Sequence, residues 1–259
     1  MFNWWIVSYK YLKKIIAVGV VLVIWQSCSV MGVVDPRFLP PFSEVLVKLV
    51  QLLVSGSLLN DAVASLLRAF VGFAVAMVMA IPLGILMGYS KQFEAVADPL
   101  LQICRNTTTL ALYPVFILVF GLGELSKIGI IVWGSIWPML INTIEGVKST
   151  DELLLKAAQS MATPPVTLFH KVILPAAMPS IVAGIRISAG RAIIILVAAE
   201  MIGAQSGLGF LIFDARSKFA APTMYAGILV LIVLGVTLNY LLVAFEKRVT
   251  RWKGAAEKI

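Results

Sequence analysis

The chain has 259 residues, 60% of them hydrophobic and only 13% charged, with a net charge of +8. A water-soluble domain carries about a quarter charged residues, so lipid is the expected main solvent, and at about 20 residues per span there is room for five to seven crossings. In such a chain the placement of the positive charge matters more than its sum, and it argues for membrane orientation and not for a nucleic-acid partner. Cys28 and Cys104 lie in or beside apolar runs without a CxxC neighbour, and His170 is the only histidine. That composition argues against a disulfide framework, a metal site and a Ser-His-Asp triad.

Six apolar segments follow one another. The first, about Ile15 to Met31, is preceded by a basic stretch with Lys10, Lys13 and Lys14. It reads as an uncleaved span, because no small-residue cleavage site with a soluble chain behind it follows. The segment from about 32 to 61 begins DPRFLPPFSEVLVKLVQLL. Its prolines mark a loop entry, and Ser43 is placed to cap a short helix with Val45, Leu49 and Leu52 on one face, lying on the outer membrane surface. The second span, about Ala62 to Tyr89, is expected to kink at Pro82. It carries Gly72, Ala76, Ala80, Gly84 and Gly88 at a strict spacing of four, the small-xxx-small seam that lets a second helix approach closely. Spans three to six are read at about Ala97 to Phe120, Ile128 to Ile144, Ile181 to Ile202 and Met224 to Phe245.

Lysine and arginine near the span ends set the orientation. With the N-terminus in the cytoplasm, twelve basic residues lie inside: Lys10, Lys13, Lys14, Lys91, Lys148, Lys156, Lys171, Lys247, Arg248, Arg251, Lys253 and Lys258. Five lie outside: Arg37, Lys48, Lys127, Arg216 and Lys218. The expected fold is an all-α polytopic membrane protein with six transmembrane helices, both termini cytoplasmic, forming one transmembrane domain over 1–259.

Between spans four and five runs a polar, proline-broken stretch that contains KAAQSMATPPVTLFHKVILP. Ser149 and Glu152 have capping-box spacing, so a helix is predicted to start there, with Leu154, Ala157 or Ala158, and Met161 on one face. Thr163-Pro164-Pro165 ends it, since proline disfavours helical geometry in the residue before it. A second helix then carries Val166, Phe169 and Val172, and a final break falls at Leu174-Pro175. The result is a helix–turn–helix over about 149–175, amphipathic and cytoplasmic.

Ala157, Ala158, Val172, Leu174 and Pro175 fit the pattern EAA---G---------I-LP, and the stretch resembles the EAA loop of binding-protein-dependent ABC transporter permeases. Lys156 stands where the glutamate is usual and Ala162 where the glycine is. LPPFSEVL (39–46), ADPLLQICR (97–105), FGLGELSKI (120–128), GIRISAG (184–190) and LVAAEMIGAQSGLGF (196–210), in that order, extend the resemblance to the nitrate/sulfonate/taurine branch over nearly the whole chain. The resemblance implies a type I importer permease in a bacterial cytoplasmic (inner) membrane. It implies a second permease copy as homodimer partner, two ATP-binding cassette subunits holding ATP and Mg, and an external substrate-binding protein. Lys156, Ala157, Ala158, Ala162, Pro164, Phe169, Leu174 and Pro175 would then couple the permease to the ATPases, with Pro164-Pro165 shaping the turn in place of glycine. No G-x-x-x-x-G-K-[ST] occurs in the chain, so the chain is expected to be a transport subunit and not an enzyme, with no cofactor of its own. The implied solute is a small oxyanion such as a sulfonate, nitrate or bicarbonate. A heteroaromatic nutrient, such as a pyrimidine precursor or riboflavin, stands as the alternative.

Ionisable residues within spans are functional hypotheses by default. Arg105, Arg191 and Glu200 are the candidates, together with Asn106, Thr107 and Thr108. Arg191 lies ten residues after Ile181, roughly 15 Å up a helix and near the midplane. Either it meets an anionic solute or it pairs with Glu200 or a carbonyl. The Asn106–Thr109 run either lines a polar cavity or bonds back to its own helix. Arg186 is expected to pair with Glu145 or Asp151. Asp214, Arg216 and Lys218 lie in the last outer loop, solvated or at a partner's rim. A secondary transporter would call for inverted repeats and broken helices in corresponding halves, and a membrane-embedded enzyme for a His/carboxylate cluster. The sequence has neither.

Overall fold

The computed structural model describes the backbone of residues 4–250, and the side chains of 16–250 other than residue 159. The side chains of Lys10, Lys13 and Lys14, and all of Arg251, Lys253 and Lys258, lie outside the described residues, so the charge asymmetry at the termini rests on the sequence.

Helix α1 (Trp4–Val30) leads through a turn to α2 (Phe42–Val54) and then α3 (Ser57–Tyr89). Next come α4 (Lys91–Asn106), a 3-10 turn (Thr109–Leu112), α5 (Tyr113–Phe120) and α6 (Glu124–Lys148). A hairpin of α7 (Glu152–Ser160) and α8 (Pro165–Leu168) passes through a π turn (Phe169–Ile173) into α9 (Leu174–Gly203), followed by α10 (Leu208–Ser217) and α11 (Ala221–Val249). Among the described residues four helical stretches are long and apolar enough to cross a membrane: Ser57–Tyr89, Glu124–Lys148, Pro165–Gly203 and Ala221–Val249. The pair Lys91–Asn106 and Thr109–Phe120 makes a fifth if its two arms, bent by 88°, count as one span. The apolar part of α1, Ile16–Val30, is shorter than these.

Helix α6 is the centre, packed between α3 and α9. The four-residue seam of α3 faces it: Ala76 and Ala80 are fully buried. A Cβ built on Gly72 would stand 2.6 Å from Ile131 Cγ2, on Gly84 2.7 Å from Thr143 Cβ, and on Gly88 2.7 Å from Val147 Cβ. Real Cβ atoms do not approach so closely, so the absent side chains are what allow the two backbones to touch. Helix α9 repeats the device, with Gly184 set against Met139 and Asn142 of α6.

Several local expectations are corrected. The span expected over Ala97–Phe120 is broken, because α4 is capped from within. Asn106 Nδ2 donates to Gln102 O at 2.8 Å and Thr107 Oγ1 to Ile103 O at 3.0 Å. These side chains take up terminal carbonyls, and Thr107 and Thr108 are free to run extended. Helix α3 starts at Ser57, earlier than expected. Ser43 does not cap α2; its N–H donates to Gln26 Oε1 at 3.1 Å and its hydroxyl accepts from Gln26 Nε2 at 3.2 Å, pinning α2 to α1. Val45 is buried and Leu49 and Leu52 half-buried, so the inward face of α2 is the one the periodicity indicates.

Two ends of the bundle can now be distinguished. At one lie α2, α10 and the starts of α3, α6 and α11. At the other lie the α7–α8 hairpin and the starts of α4 and α9. There Lys148 pairs with Glu94, and Arg186 with Glu246 of α11 at 3.1 Å, not with Glu145 or Asp151 as expected.

Candidate functional sites

The α7–α8 hairpin departs from its expected construction in three places. Ser149 is spent on α6, its hydroxyl donating to Gly146 O at 3.1 Å, and Asp151 takes over as cap by accepting from Leu153 N–H at 2.8 Å. Glu152, expected to close the capping box, instead meets Lys156 at 3.1 Å, both exposed. The turn is made at Ala162, which adopts a left-handed φ of +49°, while Thr163 N–H reaches back to Ala158 O at 3.1 Å. Pro164 is extended and Pro165 opens α8. Alanine therefore holds the backbone shape that glycine holds most readily, at a cost of about 1–2 kcal/mol. Ala162→Gly is expected to raise stability by about 1 kcal/mol, seen as a melting temperature roughly 2–4 °C higher. No rise would mean that the local backbone is not under strain.

Nor does the chain break at Leu174-Pro175. The path runs unbroken from Pro165 to Gly203. Proline at 175 has no N–H and its ring crowds the carbonyl four residues back. The π turn just before it, with Leu174 N–H donating to Phe169 O, widens the helix and makes that room. Phe169 anchors the turn edge-on to Tyr89 of α3, ring centroids 6.3 Å apart. Ala158 faces inward, 4% exposed, and not outward beside Leu154. The uncovered apolar row is Leu153, Leu154, Met161 and Val166, each more than half exposed.

At the opposite end a buried ionic cluster joins four elements. Arg68 of α3, 7% exposed, forks onto Glu124 at the start of α6, with Nε to Oε2 at 2.5 Å and Nη2 to Oε1 at 2.9 Å. Its Nη1 donates to Glu200 Oε1 of α9 and to Ser206 O, both at 2.7 Å. Glu200, 1% exposed, also accepts from Ser65 Oγ at 2.8 Å and from Gly209 N–H at 2.9 Å. Asp61 accepts from Gly207 N–H at 2.8 Å, and Lys127 donates to Glu124 at 3.0 Å. Gly207 has φ +118°, and a Cβ there would lie 2.3 Å from Glu200 Oε1, so only glycine lets the loop close over the pair. Sequence reasoning singled out Glu200 but missed Arg68, its partner. The signal was available, since Arg68 is a lone cation inside the second apolar segment.

The expected pathway residues do not assemble into one constellation. Glu200 is fully used inside the ionic cluster. Arg191 is exposed on α9, and among the described residues neither it nor Arg105 makes an ion pair. Asn106 and Thr107 bond back to α4, and Thr108 is exposed at the break. Buried hydroxyls of Ser135 and Ser188, on the facing helices α6 and α9, have no hydrogen-bond partner among the described residues. Among the described residues no group of His, Cys, Asp or Glu side chains stands close enough to hold a metal ion.

Comparison with known proteins agrees with this geometry. Residues 80–251 match the family described as "Binding-protein-dependent transport system inner membrane component". The putative aliphatic sulfonates transport permease protein SsuC of Bacillus subtilis (strain 168) is 36% identical over 249 residues, covering 96% of this chain and 90% of that protein. The taurine transport system permease protein TauC of Escherichia coli (strain K12) is 33% identical over 258 residues, covering 98% and 94%. Among solved structures, inward-facing conformations of the MetNI methionine ABC transporter superpose with a TM-score of 0.66 at 20% identity, covering 74% of this chain and 96% of that one. At that identity the likeness is one of fold.

Proposed function

The chain belongs to the family of binding-protein-dependent transport system inner membrane components, and from that premise we propose that it is the permease subunit of an ATP-driven importer of small sulfonates of the taurine type. Its orientation puts the hairpin end in the cytoplasm and the ionic cluster at the outer end. Two copies form the pathway between them, each hairpin seats in a groove of an ATP-hydrolysing subunit, and a binding protein delivers the solute from outside.

The observation that carries the coupling role is the uncovered row Leu153, Leu154, Met161 and Val166. A short, braced hairpin with an apolar face is a ready helix-in-groove ligand. The chain has no P-loop, so the energy source must sit on the protein that covers this face. The substrate class rests on the two relatives, whose names specify aliphatic sulfonates and taurine. Exposed Arg191 on α9 is the cation this reading offers a sulfonate, turned away from the protomer's own core and toward a second copy.

Alternating access then follows from rigid-body motion. The α3–α6–α9 layer is locked at the outer end by ions and along its length by backbone-to-backbone packing, so a pull on the hairpin turns the layer as one piece. The test is uptake of labelled taurine into proteoliposomes that hold the permease with its ATPase, with binding protein outside. ATP- and binding-protein-dependent accumulation is expected. Equal accumulation without the ATPase subunit would rule the importer reading out, and accumulation of a different solute class would reject only the substrate.

A further inference from the structure

At the end of the bundle opposite the hairpin, an open cleft of about 620 Å³ lies between the loop after α1 and the turn from α10 to α11. Its walls carry Arg37 and Arg216 together with Phe38, Phe213 and Phe219. Neither arginine makes an ion pair among the described residues, and Asp214, the carboxylate beside Arg216 in sequence, is held by Lys218 at 2.7 Å. Glu44 lines the neighbouring continuation of the cleft but bonds to neither arginine. Two guanidinium groups without an ion pair among the described residues line one cleft, a combination suited to an anion.

The aromatic walls indicate which anion would fit. Phe219 has φ +55°, a left-handed backbone that a bulky residue adopts only under strain, and its side chain is 86% exposed. It ends α10 where glycine is the usual residue, with Ala220 N–H reaching back to Ala215 O at 2.8 Å. A strained position that displays a phenyl ring outward is the kind of outlier from which function is inferred. Depth is set by the neighbouring belt: Trp25 of α1 stacks with Phe42 of α2 at 5.4 Å and with Tyr225 of α11 at 5.3 Å, and its indole N–H donates to Pro40 O at 3.0 Å. Trp and Tyr gather at the membrane–water interface, and Met224, next to Tyr225, lines the cleft itself. The cleft therefore opens at headgroup level, beside the first turn of α11.

We propose that this cleft binds the phosphodiester headgroup of a phospholipid of the adjoining leaflet, with Arg37 and Arg216 on the phosphate and the three phenylalanines along the glycerol and upper acyl chain. This occupant rests on the membrane setting and not on the solute carried. The bound lipid ties the α1–α2 loop to the α10–α11 turn.

The experiment is native mass spectrometry of the purified full chain, delipidated and titrated with palmitoyl-oleoyl-phosphatidylglycerol. The wild type is expected to retain one lipid that the Arg37→Gln/Arg216→Gln variant holds on the order of tenfold more weakly, two interfacial cations being removed. Phe219→Gly is expected to melt higher than the wild type, its strain relieved, yet to hold the lipid less tightly. That combination separates loss of a binding side chain from loss of fold. Equal lipid retention in all three proteins would overturn the proposal. So would displacement of the lipid by millimolar glycerophosphate, which would make this a site for a soluble phosphate. Unchanged lipid retention with loss of binding-protein-stimulated ATPase in the Arg37→Gln/Arg216→Gln variant would reassign the cleft to protein docking.

Discussion

Replacing Arg68 by methionine is expected to lower the stability of the folded chain by about 3–5 kcal/mol, the range for removing one partner of a buried ion pair. The two carboxylates respond differently. Glu124 is 55% exposed and keeps Lys127 at 3.0 Å, so water and lysine recover most of its loss. Glu200 has no exposed side-chain surface and, among the described residues, keeps Ser65 Oγ and Gly209 N–H as its remaining partners. The cost therefore lies mainly at Glu200, and a neutral side chain there should recover part of it. In a double-mutant cycle, Arg68→Met with Glu200→Gln should be less harmful than the sum of the two by about 1–3 kcal/mol. The readout is the melting temperature in detergent, where Arg68→Met should fall by roughly 10 °C. If both single changes shift it by less than 2 °C and simply add, the cluster is not holding together the end of the bundle opposite the hairpin.

The second large effect concerns the hairpin and leaves stability alone. Leu154→Glu with Met161→Glu places two carboxylates on the uncovered row. Neither side chain is buried in the chain itself, so the variant should insert and melt like the wild type, within about 0.5 kcal/mol as for surface changes generally. Binding-protein-stimulated ATPase activity of the reconstituted complex should nevertheless fall at least a hundredfold, because a groove that receives leucine and methionine must desolvate two charges. Ala158→Glu is a poorer probe, since Ala158 is 4% exposed and a charge there would disturb the hairpin before any partner is met. Stimulated activity within twofold of the wild type in the double variant would show that the hairpin face is not the coupling surface.

Much of this was legible along the chain, and the reason is that lipid makes strong demands locally. A span must be apolar over its length, a seam must be built of small residues at helical spacing, and an interrupting loop must be polar. The α3 seam from Gly72 to Gly88, the helix–turn–helix after Lys148 and the long apolar run of α11 all follow from those demands. The failures are just as local in origin. Hydrogen-bonding side chains at Asn106 and Thr107 read equally well as a polar lining or as bonding back to their own helix, and the structure has the second, which the sequence left open. Proline at 175 reads as a break, yet a π turn absorbs it. Ser149 has cap spacing but sits where α6 still needs its hydroxyl.

What the sequence determined by itself is the class of protein. Composition, span pattern and the order of motifs are sums over neighbouring residues, and they survive any uncertainty about packing. What only the tertiary structure decided is which charges belong together. Arg68 and Glu200 stand far apart in the chain, and either alone reads as a possible contact for solute. Their pairing depends on α3 and α9 meeting α6 at one level and on Gly207 closing over them. Electrostatic energy depends on distance and burial, which no spacing along one chain encodes, so Glu200 became part of the scaffold while Arg191 was left facing outward.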